Sequence, residues 1–272
     1  MKISIFYDHI KEASEQSKKS EDKILSFVKK SGIDGIEICL SQIKNDFSIL
    51  EKLKSHNLEI SCIYEFYSWF DMEDFTKLKN HLEISEKVCS KKILIVPPFL
   101  EENKNPLVIE KFLKEAVKIA SSKNITVTLE DFDNEKSPCA KISQLKNLFT
   151  KIPGLRFTFD LGNFAFSDEN LFDAFDELKD FISHVHCKDR GYENNVNLKN
   201  NKGLASVPTG FGYLPIKELI LKILQTGYDD YFAIEHFNAY EQLDYIKKSS
   251  QFLNEIKKSC KKLMGELNAF YF

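Results

Sequence analysis

The stretches ITVTLE (residues 125–130) and LRFTFD (residues 155–160) decide between the two folds that the pattern of this chain allows. Side chains alternate between the two faces of a strand, so each stretch has one apolar and one polar face. A strand of an open sheet with helices on both sides should be apolar on both faces. Here the polar face ends in an acid, Glu130 or Asp160, at the carboxyl end of the strand, where the active sites of (β/α)8 barrels lie. The alternation therefore favours a closed barrel over a doubly wound sheet.

Six more runs of strand character occur along the chain, and lysine-rich segments of helical length separate them. The predicted strands are KISIFY (2–7), DGIEIC (34–39), LEISCIY (58–64), KILIVP (92–97), ITVTLE (125–130), LRFTFD (155–160), FISHVHCK (181–188) and YFAIEHF (231–237). The predicted helices cover 21–30, 71–89, 106–121, 138–150, 170–179, 215–226 and 240–263. The repetition predicts an α/β protein with a single (β/α)8 TIM barrel, as one domain over residues 1–272. One irregular stretch, 189–212, is predicted to be a functional loop at the catalytic end.

The bulk composition excludes several classes of protein. A length of 272 residues is the usual size of such a barrel. The net charge of −3, from 38 basic and 41 acidic residues, argues against a nucleic-acid partner, which needs clustered surplus cations. No apolar run reaches the length of a membrane span, and no signal peptide is visible, so the chain is expected to be cytoplasmic. The six cysteines occur singly, which argues against a zinc ribbon or a disulfide framework.

Four potential metal ligands end four consecutive strands on the polar face: Glu130, Asp160, His186 and Glu235. Each alone has an ordinary interpretation as a helix cap, a salt-bridge partner or a hydrogen-bonded core group. Together, three carboxylates and an imidazole would repel and desolvate one another unless a cation neutralised them. The set predicts one divalent metal ion. Its oxygen-rich composition favours Mn²⁺, Mg²⁺ or Co²⁺ and leaves Zn²⁺ open.

Six motifs then occur in a characteristic order: GIDGIEI (32–38), TLEDF (128–132), FDLGN (159–163), HVHCKDR (184–190), GFGYLP (210–215) and IEHF (234–237). With these motifs the chain resembles the xylose isomerase-like TIM barrel family, which includes sugar and sugar-phosphate isomerases and epimerases related to tagatose 3-epimerase, and metal-dependent apurinic endonucleases. The resemblance implies a metal-dependent isomerase or epimerase of a sugar or polyol. It also implies that all four candidate ligands bind the metal and that Glu130 and Glu235 transfer the proton, while the metal stabilises an enediolate.

Six residues are predicted to bind substrate: Asn163, His184, Lys188, Arg190, Trp69 and Glu37. Asn163 occupies a position where many epimerases of the family have a histidine, so the contact made there should differ. Lys188 and Arg190 could bind substrate oxygens or a phosphate. Trp69 could form an aromatic wall with Tyr64 and its neighbours. Packing is the alternative for the aromatic residues and His184, and charge pairing or solvation for Glu37 and Arg190. His56 and His81 lie on helical patterns and are predicted to be at the surface.

Three other functions remain open at this stage. A dehydratase of the 3-dehydroshikimate or inosose type would remove the same proton and then expel hydroxide. An apurinic endonuclease would need further histidines that the chain does not supply at the expected positions. A sugar-binding protein without turnover would have no need for four intact ligands. The predicted partners are a small sugar or polyol and, through the apolar tail NAFYF (268–272), further copies of the chain in a homodimer or homotetramer.

Overall fold

Eight parallel strands close into a barrel in the computed structural model, which describes residues 1–192 and 202–270. Strand β9 (Tyr231–Glu235) pairs with both β1 (Lys2–Phe6) and β7 (Ile182–Gly191), and β6 (Arg156–Asp160) also pairs with β7, so the barrel sheet has no free edge. One further short strand, β8 (Ala205–Val207), lies outside the barrel and pairs antiparallel with the end of β7. This architecture confirms the predicted fold. The strands are β1 (Lys2–Phe6), β2 (Gly35–Cys39), β3 (Glu59–Phe66), β4 (Lys92–Val96), β5 (Thr126–Glu130), β6 (Arg156–Asp160), β7 (Ile182–Gly191), β8 (Ala205–Val207) and β9 (Tyr231–Glu235).

Helices surround the barrel and carry the chain back between successive strands. Seven of them were predicted from the sequence. Helices α1 (Tyr7–Ser17), α3 (Leu40–Asn45) and α4 (Ser48–Ser55) were not. Helix α7 begins at Ile142 and not at Pro138, because residues 132–140 form a turn in which Phe132 N–H donates to the Cys139 carbonyl. The helices are α1 (Tyr7–Ser17), α2 (Glu21–Lys30), α3 (Leu40–Asn45), α4 (Ser48–Ser55), α5 (Thr76–Lys87), α6 (Leu107–Ser121), α7 (Ile142–Lys151), α8 (Leu171–Leu178), α9 (Ile216–Gln225) and α10 (Gln242–Phe270).

The main core lies between the outer face of the strands and the helix layer. Val127 and Leu129 of β5 and Phe157 and Phe159 of β6 are buried there, as the alternation predicts. Complete burial of side chains of this size contributes roughly 1.5–3 kcal/mol each. The inner face of the same strands is polar: Thr158 Oγ1 donates to Thr128 Oγ1 over 2.8 Å inside the barrel. The fold therefore directs the polar face of each strand inward and its last residue to the carboxyl end of the barrel.

Two predictions fall partly or wholly outside the residues described. The stretch 189–212 includes residues 193–201, which lie outside them; its described ends form the last part of β7 and all of β8. In the predicted contact segment 268–272, residues 268–270 continue α10, and 271–272 lie outside. In the part of the chain that is described, no helix combines the length and the apolar character that crossing a membrane requires.

His81 corrects the prediction of a surface histidine on α5. Its imidazole is completely buried, with Nδ1 3.0 Å from the Tyr67 hydroxyl and Nε2 3.1 Å from the Ile63 carbonyl. Burial lowers the pKa of His81 to about 3, so the ring is neutral at pH 7. A neutral imidazole has one donor and one acceptor nitrogen, and both are satisfied here. His81 is a packing residue that ties α5 to β3.

Candidate metal centre

The four predicted ligands meet at the carboxyl end of the barrel. One potential ligand atom from each of Glu130, Asp160, His186 and Glu235 lies within 4.8 Å of the other three. His186 Nδ1 is 2.9 Å from Glu130 Oε1, 3.0 Å from Glu235 Oε2 and 4.0 Å from Asp160 Oδ2. The parallel strands β5, β6, β7 and β9 are consecutive around the barrel, so their carboxyl ends must bring these side chains together.

Two of the carboxylates present buried oxygen atoms without a hydrogen-bond donor. Asp160 Oδ2 accepts no hydrogen bond in the described structure, and Glu235 Oε2 lies beside only the candidate ligand His186, whose Nδ1 is 3.0 Å away. Asp160 Oδ1, by contrast, accepts from the backbone N–H groups of Gly162 and Asn163 at 2.7 and 2.8 Å, which fixes the carboxylate. Burying a carboxylate oxygen without a hydrogen-bond donor costs free energy, and the fixed Asp160 carboxylate cannot turn its Oδ2 towards one. Three carboxylates and one imidazole are a donor set that fits a divalent cation.

The electrostatics of these groups point the same way. Burial raises the pKa of Asp160 well above its ordinary value, and the negative charges of Glu235 and Glu130 raise it further against the opposing effect of Lys188. Burial also raises the pKa of Glu130. The pKa of His186 is raised in spite of its burial, because Glu37 and Glu130 stabilise its positive charge. Burial would raise the pKa of Glu235 as well, but Lys188 and His186 lower it. Asp160 and Glu130, the two acids that resist ionisation, would be stabilised in their charged form by an added cation.

Asn163, Lys188 and Arg190 form a bonded group beside the ligands. The Lys188 ammonium lies 2.5 Å from Glu235 Oε1 and donates to Asn163 Oδ1 over 2.7 Å. The amide of Asn163 donates to Glu130 Oε1 at 3.2 Å and to the Asp131 carbonyl at 2.7 Å. The Arg190 guanidinium donates to the Gly162 and Leu204 carbonyls, to Asn163 and, at 2.7 Å, to Asp133. The chain's own acceptors therefore hold both cations.

A cavity of about 800 Å³ opens above this group, and we call it the upper cavity. Among the four candidate ligands, only Glu130 and Glu235 line it; Asp160 and His186 lie beneath and are completely buried. Asn163, Lys188 and Arg190 also line it, as predicted for residues near a substrate. Its other walls are largely aromatic, from Phe6, Tyr64, Phe66, Phe132, Phe237, Tyr240 and Tyr245.

Three of the residues predicted to bind substrate do not line this cavity. Glu37 and His184 lie deeper in the barrel, are completely buried and bond to each other over 2.8 Å. Trp69 lies away from the aromatic wall, because its indole N–H donates to the Phe99 carbonyl at 3.1 Å and its ring packs against the main core. A direct contact of these three residues with a substrate stays a prediction, and their positions do not support it. Phe66, which is 53% exposed, occupies the place expected of Trp69.

Sequence reasoning missed two acids just after Glu130, Asp131 and Asp133. Asp131 is completely buried, and its Oδ1 accepts from the backbone N–H of Asp160 at 2.9 Å, tying the ends of β5 and β6 together. Burial and the charge of Asp160 raise the pKa of Asp131 well above its ordinary value. Asp133 pairs with Arg190. The signal was the run Glu130-Asp-Phe-Asp133 at a strand end, where three acids in four residues are unusual for a buried segment.

The chain matches known proteins in family and in fold. Residues 25–256 match the family model described as a xylose isomerase-like TIM barrel. The structure of the "probable 3-DHS dehydratase AsbF" of Bacillus anthracis is similar with a TM-score of 0.71 and 18% identity, over 93% of this chain and 99% of that one. No curated protein matches the sequence.

Two further solved structures share the fold. The D-psicose 3-epimerase of Clostridium cellulolyticum H10, solved with D-tagatose, has a TM-score of 0.71 and 13% identity, over 94% of this chain and 98% of that one. A xylose isomerase-like TIM barrel protein of Mycobacterium smegmatis, in complex with magnesium, has a TM-score of 0.67 and 16% identity, over 88% of each chain. Similarity at these identities shows a common fold.

Proposed function

Because the chain belongs to the xylose isomerase-like TIM barrel family, we propose that it is a divalent-metal-dependent isomerase or epimerase of a sugar or polyol. One observation carries the proposal. Four ligand side chains converge at the barrel end, and the two of them that reach the cavity, Glu130 and Glu235, are both carboxylates able to accept a proton. A centre that only bound a structural ion would not need to expose two of its ligands to a cavity of this size.

Glu130, Asp160, His186 and Glu235 would hold the cation. When bound, a divalent cation supplies Lewis acidity, which favours negative charge on a substrate oxygen beside it. Asp160 and His186 are completely buried, so water and substrate reach neither of them from the cavity. Their part is to bind, whereas Glu130 and Glu235 can also react.

Glu130 and Glu235 would move the proton. Isomerisation or epimerisation requires removal of a C–H proton next to a carbonyl and its return to another atom or another face, so two proton-carrying groups are needed. Asn163 donates to Glu130 Oε1, and the Lys188 ammonium contacts Glu235 Oε1, so each carboxylate has one oxygen held. Burial would lower the pKa of Lys188, but the negative charges of Asp160 and Glu235 raise it above its ordinary value, so Lys188 stays protonated as a donor.

The charges of the upper cavity favour a substrate without phosphate. Among the described residues that line it, Lys188 and Arg190 are the cations, and they pair with Glu235 and Asp133. Recognition of a phosphate depends on cations with free donors. The aromatic wall suits the C–H face of a sugar ring or chain. We therefore propose a free sugar or polyol, and not a sugar phosphate.

The test is hydrogen exchange at carbon. Metal-stripped protein is reloaded with Mn²⁺ in D₂O and incubated with matched free and phosphorylated ketoses and cyclitols, and solvent deuterium in the recovered compounds is followed by NMR. We expect incorporation at one carbon of a free sugar, lost when the metal is removed. Absence of exchange with every compound would contradict the proposal. An ultraviolet-absorbing product would instead indicate dehydration, which begins with removal of the same proton.

A further inference from the structure

Glu37 lies under the candidate metal centre, on the opposite side of the His186 ring from the other acids. Its two carboxylate oxygens are 3.2 and 3.1 Å from His186 Nε2, while His186 Nδ1 faces Glu130 and Glu235. Both Glu37 and His186 are completely buried. The imidazole is thus clamped between one carboxylate below and the candidate ligands above.

This arrangement fixes which nitrogen of His186 carries the proton. An ionised carboxylate has acceptors only, so the nitrogen that faces Glu37 must be the N–H donor. Histidine binds a metal in its neutral form, which has a single N–H, so with a cation bound Nδ1 would be the nitrogen that carries the lone pair. The two oxygens of Glu37 face ring nitrogens of both His186 and His184, the arrangement of a carboxylate that accepts on both oxygens.

Glu37 is itself held by a second histidine. His184 Nε2 lies 2.8 Å from Glu37 Oε2, and His184 stands at right angles to His186 with the ring centroids 5.3 Å apart. Because Nε2 of His184 faces a carboxylate oxygen, it is the N–H donor of this pair. Glu37 thus receives a donor from each of two strand positions on β7, two residues apart on the inner face.

Cys62 adjoins this pair. A potential ligand atom of Cys62 lies within 4.8 Å of those of Glu37 and His184. The thiol, however, is directed to the Ile63 carbonyl at 3.7 Å, and burial raises its pKa well above the ordinary value. A buried neutral thiol is a poor metal ligand, since the thiolate is the binding form. Glu37, Cys62 and His184 therefore support the metal centre and do not form a second cation site.

We propose that Glu37 is a positioning residue of the metal centre: by accepting the Nε2–H of His186, it presents Nδ1 to the cation. The inference rests on the proposed function in so far as His186 must bind the cation. Carboxylates that orient a ligand histidine typically change metal affinity about 10–100-fold when replaced. Because Glu37 is out of reach of the upper cavity, its effect should appear in metal binding, with no direct effect on substrate.

Metal binding by variants gives the first test. Mn²⁺ affinity is measured by calorimetry, and the visible spectrum of the Co²⁺-loaded protein is recorded, for the wild type, Glu37→Gln and the control Cys62→Ala. Gln keeps the volume of Glu but loses the charge and offers an N–H group towards an imidazole donor. We expect Glu37→Gln to bind Mn²⁺ about 10–100-fold more weakly, with an altered Co²⁺ spectrum. Cys62→Ala removes a neighbour of similar burial and should leave both unchanged.

The outcomes separate this inference from the proposed function. Equal affinity and equal spectra for Glu37→Gln and the wild type would overturn the inference alone, and so would an equal loss in Cys62→Ala. A wild type that binds no cation would contradict the proposed function itself.

A measurement on the unmodified chain covers the case in which Glu37→Gln does not fold. In ¹⁵N-histidine-labelled protein loaded with Zn²⁺, NMR should show His186 protonated at Nε2 and metal-bound at Nδ1. Protonation at Nδ1 would overturn the inference.

Discussion

Cavities of about 820 and 800 Å³ open at opposite ends of the barrel, and each contains several charged side chains. We call the first the lower cavity; it lies at the amino ends of the strands and includes Lys2, Glu59, Lys92, Asp230 and Tyr231. Each of its two acids pairs with a lysine, Glu59 with Lys2 at 2.9 Å and Asp230 with Lys92 at 2.6 Å. Both pairs have a member that reaches solvent, Asp230 being 44% exposed.

The upper cavity differs in how its charges are satisfied. Among the described residues, Asp160 Oδ2 is buried without a hydrogen-bond donor and Glu235 Oε2 faces only the ring of His186, and both belong to acids whose neighbours are also acids. Volume is the same at the two ends, so it does not identify the functional one. Converging carboxylate oxygens without hydrogen-bond donors do identify it. Burying them costs free energy, which a site with no function would not be expected to retain. The position also agrees with the rule that barrel active sites form at the carboxyl ends of the strands.

Conservative replacement of an acid at each end should give the largest contrast. Glu235→Gln removes a proton-transfer group, and loss of such a group reduces rates about 10²–10⁴-fold. Asp230→Asn, at the lower cavity, should leave the exchange rate close to that of the wild type. The measurement is the rate of deuterium incorporation with the best substrate at saturating Mn²⁺. A comparable loss in both variants would show that the two ends are not functionally distinct.

Two buried histidines allow the same comparison to be made by pH. His81 has both ring nitrogens bonded and a pKa lowered to about 3, whereas the pKa of His186 is raised by the acids around it. The folded pKa of His81 lies below the unfolded value of about 6.5, so the unfolded chain takes up the proton first. The stability due to a neutral His81 is therefore complete above pH 6.5 and is lost as the pH falls towards 3.

Linkage gives the size of this effect. Between pH 8 and pH 5, a shift of this direction and extent should cost the wild type about 2 kcal/mol of unfolding free energy. His81→Gln, which cannot take up a proton, should lack this component. Urea unfolding of the metal-free wild type and variant at both pH values provides the check. Identical pH dependence in the two proteins would mean that His81 is not held neutral.

The sequence predicted the parts of the structure that depend on local alternation. The bounds of all eight barrel strands lie close to the predicted bounds. A strand with one polar and one apolar face can be recognised in a short segment because its side chains alternate. Helix α1 was missed because it follows β1 without a loop, and only four of its residues are buried, Tyr7, His9, Ile10 and Ala13. Such a helix has little apolar periodicity to detect.

The candidate site was predictable where strand order alone determined it. Four strand-end ligands from consecutive strands must meet once the barrel closes. The bond of Glu37 to His184 and His186 was not predictable, because β2 and β7 are not neighbours and meet only across the barrel interior. The direction of Trp69 was not predictable either, since it depends on a single bond from the indole to the Phe99 carbonyl.

Removal of a paired charge at the lower cavity should have the smallest effect. Lys92→Met keeps the apolar stem of a side chain that is almost fully buried and removes its contact with Asp230. Asp230 can turn to solvent, so we expect a loss of about 1–2 kcal/mol in unfolding free energy, close to that of one charged hydrogen bond. Exchange activity should persist. Urea unfolding together with the deuterium assay tests this, and loss of activity without loss of stability would link the lower cavity to catalysis.

Titration of Mn²⁺ into the metal-stripped protein tests the metal centre most directly. The wild type and Asp230→Asn should each bind one ion per chain. Asp160→Asn should fail to saturate at concentrations that fill the wild type, because it loses the negative charge of a buried carboxylate whose Oδ2 accepts no hydrogen bond in the described structure. A wild type that binds no ion, or an Asp160→Asn variant that binds as the wild type does, would contradict the account.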